Sequence, residues 1–171
     1  MNDLSVDDIL ALRRQTAKDI IDVNEKEVKL VIFTLAGQSF ALFGQAIKEI
    51  LAREEPLYFV PGMPASVLGV VNLRGDIESV ITLNALLQLP QSQATAPGPL
   101  LLGQSSCLRS AIRVDELIDV VDVPQSQLHQ PPDSLPESLR PYACALCEFN
   151  QQPVTVLDLE RVFAAYLQGL G

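Results

Sequence analysis

The residues of this chain best equipped for metal or redox chemistry are Cys107, Cys144, Cys147 and His129, its only histidine. Cys144 and Cys147 form a C-x-x-C pair. A redox pair of that spacing needs its first thiol at a helix N-terminus, where the dipole lowers the thiol pKa. The surroundings, PYACALCEFN, read instead as a strand. Residues three apart on a regular strand point to opposite faces, which would part the two sulfurs. A zinc site recruiting Cys107 and His129 would call for tight ligand pairs on turns. The expectation is therefore no metal and no cofactor, with the cysteines serving as small buried apolar residues. The adjacent carboxylates Asp7-Asp8 and Glu54-Glu55 point apart on either a helix or a strand, so they are expected to be solvated charges rather than an acid–base pair. The chain contains no G-x-S-x-G, no H-E-x-x-H and no phosphate-cradling glycine loop. A protein that is not an enzyme is expected.

A second short motif is Arg74-Gly75-Asp76, set between two aliphatic runs in VVNLRGDIESVI. A cell-surface ligand of that type must be exported. The N-terminus, MNDLSVDDILALRRQ, has neither a basic first segment nor a continuous apolar one. The alternative is a hairpin connection, since a three-residue link containing Gly joins Val67–Leu73 to Ile77–Ile81. Both faces of Val67–Leu73 are apolar almost to its end. It is expected to be buried on both sides between two packed lobes, with Arg74 emerging where burial stops.

Composition narrows the function classes. The chain has 171 residues, 48% hydrophobic and 19% charged, a globular balance. Only 5% are aromatic and Trp is absent, so Val, Leu, Ile and Ala must build the core. The net charge of -9 would repel a phosphate backbone, which argues against nucleic acid. No apolar run approaches the ~18–20 residues of a membrane span. The odd cysteine count without an export signal fits a cytoplasmic protein with no direct membrane insertion.

The elements that must position these residues are mostly strands. Ser5 to about Val23 reads as a helix with a capping start at Ser5 and Asp8. Its apolar stripe of Val6, Ile9, Leu10, Ala17, Ile20 and Ile21 is interrupted by Arg13. Strands follow at Lys29–Leu35, Ser39–Phe43, Ile47–Ala52, Val67–Leu73 and Ile77–Ile81, and then a short helix, Leu83–Leu89, capped by Thr82. PQSQATAPGP, residues 90–99, reads as a linker. Strands recur at Leu100–Leu102, Cys107–Val114, Leu117–Val123, Tyr142–Phe149 and Val154–Leu157, with a proline-rich loop before the last two. A closing helix runs from Leu159, capped by Asp158, with Val162, Phe163 and Tyr166 facing inward.

The two halves resemble each other. Val80, Ile81, Leu83, Leu86 and Leu87 match Val156, Leu157, Leu159, Val162 and Phe163 in order and spacing, and Thr82 matches Asp158. Ile47-Lys48-Glu49-Ile50 matches Leu117-Ile118-Asp119-Val120. Two small similar β-barrels, each closing its own sheet edges, is the architecture this suggests. Barrels so small are filled by their own side chains, which leaves little room for a small-molecule sensor.

The run LVIFTLAGQSFAL, then IKEI, then PGMPASVLGVVNLRG, then VDELIDVVDV resembles the CheW family of chemotaxis coupling proteins. The likeness covers about Lys29 to Leu167, and Gly69–Gly75 is its most specific part. It implies a mainly β fold. Two SH3-like five-stranded barrels would pack around a shared core, lobe one over about 28–90 and lobe two over about 99–168. The CheW-like domain would span 28–171, with residues 1–27 as a helical extension. It also implies a non-catalytic adaptor whose partners are the regulatory domain of the histidine kinase CheA and the signalling tip of a chemoreceptor. The family's charged pair falls on Arg74 and Glu49, which would meet beside the groove between lobes. Receptor tips are helical and dock through apolar anchors. Ile47, Leu68 and Val70, with Asn72, are therefore candidate partner contacts near Arg74. Where the family runs G-x-I-x-P-V-I-D-L-R, this chain has Ser79 for Pro, Thr82 for Asp and Asn84 for Arg. These differences bear on partner choice, and a paralogue serving another chemosensory or polar complex is the alternative.

Overall fold

A computed structural model of the chain describes residues 25–91 and 96–170. The proposed N-terminal helix lies outside them. The strands are β1 (Glu27–Leu35), β2 (Gln38–Phe43), β3 (Ile47–Leu51), β4 (Val67–Leu73), β5 (Asp76–Ile81), β6 (Leu100–Gln104), β7 (Arg109–Arg113), β8 (Glu116–Pro124), β9 (Ala143–Phe149) and β10 (Gln152–Leu157), followed by α1 (Leu159–Leu170). They form two five-stranded sheets, ordered β8-β1-β2-β10-β9 and β3-β6-β7-β5-β4.

The fold is mainly β with two similar sheets, as expected, but the chain does not divide between them at residues 90–99. Each sheet takes its opening hairpin from one half of the sequence and its other three strands from the other half. The first sheet combines β1 and β2 with β8, β9 and β10, and the second combines β6 and β7 with β3, β4 and β5. The duplication is real, because the two sheet orders superimpose strand for strand, but the repeats have exchanged hairpins. The crossovers enforce this. A three-residue 3-10 turn, Gly44–Ala46, carries β2 into β3 of the other sheet, and Val114-Asp115 carries β7 into β8. Parallel pairings β2–β10 and β5–β7 stitch each borrowed hairpin in place. Periodicity reports which residues face a core. It does not report which sheet a strand joins.

Alternation sorts the apolar residues into three clusters. Leu30, Ile32, Ala41, Ala145, Cys147, Val154 and Val156 fill the first sheet's concave side. Leu51, Val71, Leu73, Val80, Leu100, Leu102 and Ala111 fill the second's. Between the sheets lies the largest cluster, built from Val31, Phe33, Phe40, Leu101, Ile112 and their neighbours. It is why the middle of β1 is buried on both faces. Phe33 and Phe40 stack there at 6.2 Å.

The helix α1 packs Leu159, Val162, Phe163 and Tyr166 into this central cluster. Asp158 caps it, accepting the Glu160 N–H at 3.0 Å. The matching segment after β5 is not a helix. Leu83–Leu89 makes turns with isolated bonds from Leu87 N–H to the Leu83 carbonyl and from Leu89 N–H to the Asn84 carbonyl. Gln88 leaves helical geometry at φ 54, and Pro90 follows at once, so the segment stops after one turn. Leu83 and Leu87 still bury in the central cluster where Leu159 and Phe163 do.

Each sheet curls until its edges nearly meet. In the second, Tyr58, downstream of β3, forms a bridge to Val70 of β4, with both N–H···O distances 2.8 Å. In the first, His129, downstream of β8, bridges Leu146 of β9 in the same manner. The edges that a flat five-stranded sheet would leave open are thus partly closed.

Candidate functional site

The segment singled out in the sequence sits at the seam of the second sheet. β4 is an edge strand, so the expected burial on both faces does not hold. Gly69, Val71 and Leu73 face the core, while Val70 and Asn72 look outward. Leu73 pairs with Asp76, so the connection is the two-residue turn Arg74-Gly75 rather than three residues. Both turn residues have positive φ, 54° and 90°. That is the twist of a type I′ hairpin turn, which matches the twist of the strands. The Gly75 N–H donates to the Asn72 side-chain oxygen at 2.9 Å.

From this turn Arg74 reaches Glu49. Its Nη2 lies 2.5 Å from Oε1 and its Nη1 3.2 Å from Oε2, a two-pronged pair. Glu49 belongs to β3, the opposite edge of the sheet. Only a curled sheet brings these edges within hydrogen-bond reach, so the pair spans the barrel's own seam rather than the groove between lobes. The Arg74 side chain is 78% exposed and Glu49 27%. Arg74 is held above the ordinary arginine range by its bonds and charge attraction to Glu49.

The apolar candidates separate. Ile47 packs against the central cluster. Leu68 falls at a β-bulge where the β4–β5 register slips, and this turns it toward the second sheet's core. Both are half-buried and better placed to support the fold than to meet a partner. Val70 and Asn72 remain on the outward face beside Arg74. Sequence reasoning missed several apolar neighbours of this face. Ile77 pairs directly with Asn72 and is 63% exposed. Tyr58, pinned to Val70, and Phe59 are 57% and 78% exposed. The alternation of DIESVI could have flagged Ile77, but nothing local marks the Tyr58 bridge.

The cysteines need a correction. A bulge in the β9–β10 register falls at Cys144, and bulges break alternation. Cys144 and Cys147 therefore pack against the same cluster instead of opposite faces. Both are free thiols pushed above the usual cysteine range by burial. Another pair absent from the sequence reading joins Arg109 to the buried Glu78 at 2.8 Å.

The departures at Ser79 and Asn84 have local partners. Ser79 Oγ lies 2.7 Å from the buried Ser110 Oγ, a bond proline could not make. The Asn84 side-chain nitrogen donates to the Pro90 carbonyl at 2.8 Å.

The CheW-like domain model matches residues 29–166, which spans both sheets and the first two turns of α1. The chain belongs to the CheW-like domain family. A probable chemotaxis protein CheW of Rhizobium etli is 25% identical to this CheW-like chain over 142 residues, covering 83% of the chain and 91% of that protein. The chemotaxis protein CheW of Bacillus subtilis is 29% identical over 107 residues, covering 63% and 68%. The crystal structure of the scaffolding protein TtCheW from Thermoanaerobacter tengcongensis matches with a TM-score of 0.68 at 18% identity, covering 81% of this chain and 88% of that one. That likeness establishes the CheW-like fold. Among the described residues, no helix is long and apolar enough to cross a membrane.

Proposed function

We propose that this chain is a non-catalytic cytoplasmic adaptor of a bacterial chemosensory array. It joins the regulatory domain of the histidine kinase CheA to the signalling tip of a chemoreceptor. The observation that carries this reading is the family match across residues 29–166, together with relatives matched over most of their own length. The outward face of β4 supports it. Arg74, Glu49, Val70 and Asn72 there combine a fixed charge pair with half-exposed apolar surface, the mixture a helical partner would use. Ile47 and Leu68 would act from behind, by shaping the strands that carry these residues.

The test is capture of purified chain by an immobilised CheA regulatory domain and, separately, by a receptor signalling hairpin. Binding to both is the expected result. Binding to neither, with a folded chain, would refute the adaptor reading. Ser79, which pairs with Val70 of this strand, and Asn84 stand where the family has other residues, each with a local hydrogen bond. A paralogue tuned to a different receptor set is thus the second reading, and comparison of receptor tips of differing sequence decides between them.

A further inference from the structure

The two barrels offer an internal comparison that isolates one residue. Hairpin β4–β5 turns at Arg74-Gly75, and its counterpart β9–β10 turns at Asn150-Gln151. All four residues have positive φ, between 50° and 90°. Both hairpins therefore use the same backbone conformation. Asparagine is among the side chains that enter the left-handed region most readily, and it leads the second turn. Arginine has no such preference, yet Arg74 leads the first. The fold does not require an arginine there, because its sister turn closes without one. The left-handed conformation is not itself special to Arg74, since Ala36 and Gln151 adopt it in the chain's other two-residue turns. What sets the Arg74 turn apart is how its side chains hold it.

Two contacts do the holding. One is the fork to Glu49. The other is the bond from the Gly75 N–H to Asn72 Oδ1, made across the turn by a side chain on the outward face. Glu148 stands at the corresponding place before the second turn. Asn72 is exposed, which alone would suit a partner contact. Its oxygen is instead engaged by the turn. We infer that Asn72 is a positioning residue, which locks the Arg74-Gly75 turn so that the guanidinium spans the seam to Glu49 in the arrangement a partner recognises. This rests on the adaptor reading for its purpose and on the geometry alone for its mechanism.

The experiment uses the full chain with Asn72→Ala and Asn72→Asp, the second of which keeps an acceptor oxygen. NMR follows Gly75 amide exchange, the Arg74 backbone coupling that reports φ, and the guanidinium signals. Affinity for the CheA regulatory domain and the receptor hairpin is measured in parallel. In Asn72→Ala, Gly75 exchange should quicken, Arg74 should leave its left-handed conformation part of the time, and binding should weaken about two- to tenfold, the worth of one hydrogen bond. Asn72→Asp should stay near wild type in all three. If Asn72→Ala weakens binding while the Arg74 signals stay fixed, Asn72 is a direct contact and the inference falls. It falls equally if Arg74 is freed and affinity is unchanged. A wild-type chain that binds neither partner defeats the adaptor reading, while the NMR comparison still decides whether Asn72 positions Arg74.

Discussion

Arg74 and Glu49 are worth little to the fold, and the adaptor reading assigns them to the partner surface. The pair is open to solvent on the arginine side, where ion pairs are screened and add little to stability. Arg74→Ala should leave the thermal midpoint nearly unchanged, as followed by circular dichroism, while partner binding is lost. A lowered midpoint together with intact binding would reverse those roles. The thiols give an independent check on side-chain burial. Cys107 is exposed, whereas burial raises the pKa of Cys144 and Cys147 and so disfavours the reactive thiolate. Timed alkylation at neutral pH should label Cys107 quickly, the half-buried Cys144 slowly and the buried Cys147 only on unfolding. Rapid labelling of all three would contradict the packing of β9. At this scale the sequence was informative about residue type and poor on direction. The Arg74–Glu49 partnership was legible through resemblance. The bulges that redirect Leu68 and Cys144 were not, because an inserted residue leaves the apolar pattern nearly intact while changing the face it serves.

Among the elements, the edge strands β3 and β4 matter most for the site. The segment carrying Tyr58 lies against β4 so closely that a Cβ at Gly69 would collide with the Tyr58 carbonyl oxygen. Gly69 also has φ 152°, a conformation that side chains rarely adopt. Gly69→Ala should therefore cost about 1–3 kcal/mol, measured by chemical denaturation, and should loosen the Tyr58–Val70 bridge. An unchanged denaturation midpoint would mean that the bridge is not maintained. Strand limits were readable from alternation and turn residues to within a few positions. The turn at Leu83–Leu89 was not, because its leucines keep helical spacing for burial while Gln88 and Pro90 end the helix.

For the molecule as a whole, hairpin exchange is the dominant fact. Neither half of the chain completes a sheet, since each depends on two strands from the other. Ile81 of β5 and Leu101 of β6 both pair with Ile112, so β5 and β6 lie on either side of β7, about 10 Å apart. The two barrels should then unfold as one unit despite looking like two lobes, with calorimetric and van't Hoff enthalpies agreeing. Two separate transitions would rule out the interlocked arrangement. No pattern in the sequence could have shown this, because repeats that keep their own hairpins and repeats that trade them have the same periodicity.

The adaptor reading requires one chain to hold two partners at the same time, and a bridging assay measures this most directly. Receptor signalling hairpins are fixed to beads and offered a CheA regulatory domain, with and without this chain. The account predicts that the kinase domain is retained in proportion to added chain, and that Arg74→Ala at the same concentration abolishes the increase. Retention that does not depend on the chain, or a chain that binds each partner alone but never both together, would contradict it.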